Sequence, residues 1–184
     1  MRWIVFGIFA YLFAMIQMTL GNILILDRLA MGPIGPDFMV IFAIFIAFNS
    51  RDVIDAMIAG WVLGMLIDLT TGGGGSCVGP MAILYSFMCW VVFSIREGIY
   101  SERALTQMIM AGVFCIVTHG LWITIQSLIA FDLSWGEYGS LLLQVLLSGL
   151  YTAVLTPMVY FGLILFRGYL IDSLPQRSGR RSRK

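Results

Sequence analysis

Six apolar runs, separated by short polar breaks, constrain this chain more than any other feature. They fall at residues 3–26, 38–48, 53–69, 78–95, 104–131 and 138–166. A helix crosses a bilayer with about 20 apolar residues, and several fewer or more are tolerated. Composition agrees with that reading. The chain is 60% hydrophobic and 11% charged, against about 45–50% and about 25% in soluble domains. A soluble domain of 184 residues could not hide so much apolar surface, because too much of it faces water. The first run is too long for the roughly 7–15-residue core of a signal peptide, and no small-x-small cleavage site follows it closely. It reads as a retained membrane helix. The expected architecture is an all-α integral membrane protein. A six-helix membrane domain spans 1–166 (spans about 3–26, 34–49, 53–69, 78–95, 104–131 and 138–166), followed by a basic tail at 167–184.

The second run is the irregular one. Its eleven residues at about 1.5 Å each cover about half the hydrocarbon thickness. It follows the stretch Met31-Gly-Pro-Ile-Gly-Pro-Asp37, so a re-entrant loop competes with a true span. Basic residues decide between the two, because cytoplasmic flanks are enriched in Lys and Arg. If all six runs cross and the N-terminus is inside, ten of the 11 basic residues are cytoplasmic: Arg2, Arg51, Arg96, Arg103, Arg167, Arg177, Arg180, Arg181, Arg183 and Lys184. Only Arg28 is outside. If the second run turns back, Arg51, Arg96, Arg103 and the whole tail change side. The six-span reading prevails, with the short span borrowing length from residues 31–37 or thinning the bilayer locally. The outer loops, 27–37, 70–77 and 132–137, are then mostly acidic, and Trp135 fits an interfacial anchor.

The residues that could carry chemistry are few. Ala56, Gly60, Gly64 and Asp68 recur at four-residue steps, on one broad side of a helix. Gly60-Trp-Val-Leu-Gly64 is a GxxxG pattern, which lets another helix approach closely. Asp68 carries the same side outward. A carboxylate in that position is costly, and it either binds a partner or braces the glycine-rich loop that follows. Gly72 to Gly75 form a permissive turn. No Lys followed by Ser or Thr makes it a phosphate loop. His119 is the sole histidine, near the middle of the fifth run. Alone it makes no metal site, and no HExxH pattern accompanies it. Asp55 and Asp68 sit near opposite span ends, so neither is an obvious mate for it. An interhelical hydrogen bond with Gln126 or a threonine is the expected role. Cys77, Cys89 and Cys115 have neither the number nor the spacing of a disulfide framework or zinc site. They read as small apolar packing residues. No GxSxG elbow is present. Ser148, Thr152 and Thr156, beside Gly149 and Ala153, read as a packing face of the last span, kinked at Pro157. Basic residues clustered beside spans and in one tail give no support to nucleic-acid binding.

Two stretches together resemble a known family. Gly35-Pro36-Asp37 enters the short second run, and Gly60-Trp-Val-Leu-Gly64-Met-Leu-Ile-Asp68-Leu-Thr-Thr-Gly72 follows. The pair is similar to the Pro-Asp and G-x-x-x-G-x-x-x-D-x-x-x-G pattern of the rod shape-determining protein MreD family. The match rests on Pro36, Asp37, Gly60, Gly64, Asp68 and Gly72 and covers roughly residues 30–80, the remainder agreeing in topology alone. The four-glycine run is longer than the family pattern. The resemblance implies a non-catalytic scaffold of bacterial cell-wall elongation in the cytoplasmic membrane, with no cofactor. Its implied partners are an MreC-like membrane protein and, directly or indirectly, MreB, RodA and a penicillin-binding transpeptidase, with anionic lipid at the basic tail. It also implies a six-helix fold similar to the substrate-binding subunits of energy-coupling-factor transporters. That kinship supplies the competing reading, a small-molecule (vitamin-type) transporter subunit using the Ala10/Ala14 patch, His119 and Asp68.

Overall fold

The computed structural model describes residues 3–24, 34–71, 79–96, 104–130 and 135–170. Among them are six helices and no strand: α1 (Trp3–Ile23), α2 (Phe38–Asn49), α3 (Val53–Thr71), α4 (Pro80–Ile95), α5 (Ala104–Ala130) and α6 (Trp135–Leu170). Four of them, α1, α3, α5 and α6, are long and apolar enough to cross a membrane. The helices at the second and fourth runs are shorter, 12 and 16 residues. The outer surface of the long helices is apolar: Ile4, Ile8 and Tyr11 on α1, Leu105 and Ile109 on α5, and Leu150, Val154, Met158 and Phe161 on α6 are all exposed. A row of exposed large apolar residues on successive helical turns is unfavourable in water and favourable against lipid. The chain is therefore a multi-pass helical membrane protein by the length and composition of its helices.

The short α2 is the axis of the fold. It touches α1, α3, α4, α5 and α6, and every residue from Phe38 to Phe48 is buried. A helix that is apolar all round belongs in a core, and this one is enclosed by protein. Phe42 stacks between Phe6 and Phe13 of α1, with ring centroids 5.9 and 4.7 Å apart. Phe45 meets Tyr160 of α6 edge-on at 5.3 Å. The helix does not extend into the residues before it. Residues 34–37 are non-helical and the first turn starts at Phe38. The cause is local: Gly35 and Pro36 disfavour helix, and Asp37 is the N-cap, with its side chain accepting from the amides of Met39 and Val40. At the other end the Ser50 amide donates to the Ile46 carbonyl at 2.7 Å. The Ser50 carbonyl accepts from the Arg96 guanidinium, which itself lies over the Phe93 ring.

The remaining helices form two close pairs, α3 with α4 and α5 with α6. Gly60 and Gly64 face α4. A Cβ on Gly64 would lie 2.5 Å from Ala82 Cα and from the Met81 carbonyl oxygen. A Cβ on Gly60 would lie 2.7 Å from Cys89 Sγ and 2.8 Å from the Tyr85 carbonyl oxygen. The two backbones are close enough that only hydrogen fits between them. In the second pair, Gly149 packs on Ile116 and Gly112 lies beside Ala153. That seam keeps its backbones farther apart: no opposing backbone atom would lie closer than 3.4 Å to a Cβ on either glycine. Helix α6 runs through Pro157 as one 36-residue element.

Candidate functional site

The candidate site gathers around the N-terminus of α2. Asp37 is buried, and each of its polar groups has a partner. Its Oδ1 accepts from the amides of Met39 at 3.0 Å and Val40 at 3.2 Å. Its Oδ2 accepts from the Tyr85 hydroxyl at 3.1 Å and faces His119 Nε2 at 2.8 Å. Its own amide donates to Thr152 Oγ1 at 2.9 Å. One residue thus ties α2 to α4, α5 and α6. The contact with His119 is an ion pair whenever the imidazole carries both protons. An uncompensated charge here would be costly, and the positive end of α2, the hydroxyl and the imidazole together offset it.

The backbone on either side of Asp37 is clamped as well. The Gln17 amide of α1 donates through Nε2 to the Pro36 carbonyl at 3.2 Å and accepts through Oε1 from the Phe38 amide at 2.7 Å. Ser148 Oγ donates to the Gly35 carbonyl at 2.5 Å. These are the groups that a non-helical entry leaves without an intrahelical partner, and in lipid they must be met by protein. The Ser148, Thr152 and Thr156 stripe therefore does more than pack. Its first two members hold residues 35–37, while Thr152 and Thr156 return their own protons to the carbonyls one turn back.

Beside this network lies a cavity of about 270 Å³ between α5 and α6, lined by Cys115, His119, Trp122, Ile123, Gln126, Gln144, Val145 and Ser148. His119, which contacts Asp37, is part of its wall. Cys115 and His119 are one turn apart on α5. The Cys115 sulfur, the His119 ring nitrogen and an Asp37 carboxylate oxygen all lie within 4.8 Å of one another.

The residues singled out from sequence separate into two sets. Pro36, Asp37 and His119 come together at the α2 entry, with Gln126 on the wall of the adjoining cavity. The polar partner of His119 is Asp37, 82 positions away; neither Gln126 nor a threonine takes that place. Gly60, Gly64 and Asp68 lie along the α3–α4 seam. Gly60 and Gly64 pack against α4 of the same chain. Asp68 is buried, and its Oδ2 accepts from the Gly79 amide at 2.8 Å. It braces the start of α4, where Gly79 has a φ of 129° that few other residues adopt. Gly72 and the three glycines after it lie outside the described residues, as does Cys77.

Sequence reasoning missed Gln17, Tyr85, Cys115 and Thr152 as members of one site. Gln17 had a signal, being a polar amide inside an apolar run. Tyr85 and Cys115 had none, because each also reads as an ordinary core residue. No family model, curated protein or solved structure matches the chain. The functional reading therefore rests on these residues and their arrangement.

Proposed function

We propose that this protein is a non-catalytic membrane scaffold of bacterial cell-wall elongation, of the MreD kind. In this reading it crosses the cytoplasmic membrane six times, with both termini inside, and engages an MreC-like partner. MreB, RodA and a penicillin-binding transpeptidase are its direct or indirect associates, and its basic tail meets anionic lipid, each basic residue adding about 1 kcal/mol. One observation carries the reading. Asp37, Gly60, Gly64 and Asp68 of the family-like pattern all fix how helices meet. Asp37 organises the entry of α2, Gly60 and Gly64 let α4 close on α3, and Asp68 fastens the start of α4. A pattern spent on architecture suits a protein whose product is a rigid surface for other proteins. The ten-to-one partition of basic residues supports the six-span topology. Because α4 occupies the glycine seam, a partner helix would meet the outward faces of the bundle.

Co-purification tests the proposal. An MreC-like protein from the same genome, co-expressed with an affinity tag, should retain this chain in mild detergent. Depletion of the chain should turn rods into spheres. Rods that persist after complete depletion, with no co-purification, would remove the proposal.

The cavity between α5 and α6 favours a second reading, a substrate-binding subunit of a small-molecule (vitamin-type) transporter. Its wall combines imidazole, two carboxamides, a hydroxyl and an indole around about 270 Å³, which suits a small polar ligand. A co-purified vitamin, or thermal stabilisation by one, would move the assignment there.

A further inference from the structure

We propose that Asp37, Cys115 and His119 form a binding site for a divalent transition-metal ion, with zinc as the best match and water from the adjoining cavity as the fourth ligand. The donor set is a carboxylate oxygen, a thiol sulfur and an imidazole nitrogen, all within 4.8 Å of one another. Sulfur together with imidazole selects zinc or a neighbouring transition metal over magnesium or calcium, which prefer oxygen throughout. Two of the donors, Cys115 and His119, stand one turn apart on α5. That four-residue step lets one helix face present both ligands to one ion, as paired histidines do in helical zinc motifs. The third comes from the entry to α2, so the ion would join the two elements.

The geometry needs little change. Tetrahedral ligands with bonds of about 2.0 Å to oxygen and nitrogen and about 2.3 Å to sulfur lie about 3.3 Å apart for an oxygen–nitrogen pair and about 3.5 Å apart where one is sulfur. His119 Nε2 and Asp37 Oδ2, now at 2.8 Å, would part by about half an ångström while the thiol moves in. The outer contacts already hold the carboxylate in place: the Tyr85 hydroxyl on Oδ2 and two α2 amides on Oδ1. Such outer partners orient metal ligands. The fourth position faces the cavity, which both Cys115 and His119 line. An open fourth position distinguishes an exchanging or reactive zinc site from a closed structural one.

Charge balances as well. The ion carries two positive charges, the carboxylate and the thiolate one negative charge each, and the imidazole none. The bound site is neutral, which a membrane interior requires. On binding, the Cys115 thiol loses its proton to cavity water. The imidazole keeps a single proton on Nδ1 and gives its Nε2 lone pair to the ion.

The test uses the full chain in detergent, prepared without chelator. Cobalt(II) titration of the wild type should give a thiolate-to-cobalt charge-transfer band in the near ultraviolet, saturating at one ion per chain. Zinc should abolish the band and raise the unfolding temperature. Cys115→Ser should lose the band, His119→Ala should weaken cobalt binding at least tenfold, and Cys89→Ala should leave both unchanged. A wild-type protein that elutes as a folded monomer yet shows no band and no thermal shift at 100 µM cobalt or zinc would overturn the site, whatever the variants do. A band that survives Cys115→Ser would overturn it too.

Discussion

The α3–α4 pair and the α5–α6 pair are both antiparallel neighbours in sequence, yet they close by different means. The first is sealed by absence: Gly60 and Gly64 carry no side chain, and the opposing backbone occupies the space. The second is sealed at one level by Gly112, Gly149 and Ala153. Beyond that level it opens into a polar cavity over the Asp37 network. A dry backbone contact has no adjustable part, because nothing at 2.5 Å can rotate away. A seam filled by hydrogen-bonded side chains can exchange partners. The comparison teaches that α3–α4 is the structural pair and that the capacity for chemistry lies between α5, α6 and the entry of α2.

The largest expected effect comes from Asp37→Ala. It leaves the α2 amides, the Tyr85 hydroxyl and the His119 ring without their common acceptor. Removing one partner of a buried, hydrogen-bonded charge costs about 3–5 kcal/mol, and thermal unfolding in detergent should show this loss as the greatest in any single-site set. If Asp37→Ala unfolds no earlier than Gly112→Ala, the network is not what holds α2.

Next in size is Gly64→Ala, at about 1–3 kcal/mol for forcing a methyl into a packed contact. Gly60→Ala should cost less, since its backbone obstruction, the Tyr85 carbonyl oxygen, lies at 2.8 Å against 2.5 Å at Gly64. Equal penalties at 60, 64 and 149 would break the distinction between a backbone seam and a side-chain seam, because Gly149 meets only the Ile116 side chain at less than 3.4 Å.

Thr152→Val removes the acceptor of the Asp37 amide while keeping the volume. Hydrogen bonds between membrane helices are worth about 0.6–2 kcal/mol, and Thr152→Ser should recover most of that. Val and Ser variants with the same unfolding temperature would show that the Thr152 hydroxyl contributes nothing there.

The smallest effect is expected at Gly112→Ala. The nearest atom to an added Cβ is Ala153 Cβ at 3.4 Å, so the outcome is neutrality or stabilisation by up to about 1 kcal/mol from better helix propensity. A loss comparable with that at Gly64 would mean the α5–α6 seam is as tight as the other.

The positions of all six helices were legible in the apolar runs. Observed boundaries differ from the expected ones by a few residues, as at α6, which starts at Trp135 and ends at Leu170. The GxxxG step was legible as a close-packing face, because spacing along one helix defines a face without knowledge of the neighbour. Which helix fills that face was not. The Pro36-Asp37 entry was legible as irregular, and its capping role follows from residue type. The partnership of Asp37 with His119 was invisible, since 82 positions separate them and neither sits in a motif that names the other.

Sequence alone determined that this chain is a set of apolar helices with few charges, since lipid tolerates such runs and water does not. It determined too that the second helix is short and enters through a break. Tertiary structure decided what encloses that helix and where its costly polar groups find partners. Five helices must first converge on α2 before Gln17, Tyr85, His119 and Thr152 can reach one turn of backbone. Hydrogen bonds and ion pairs depend on distance in space, and no local spacing rule reports that distance across 82 residues of chain.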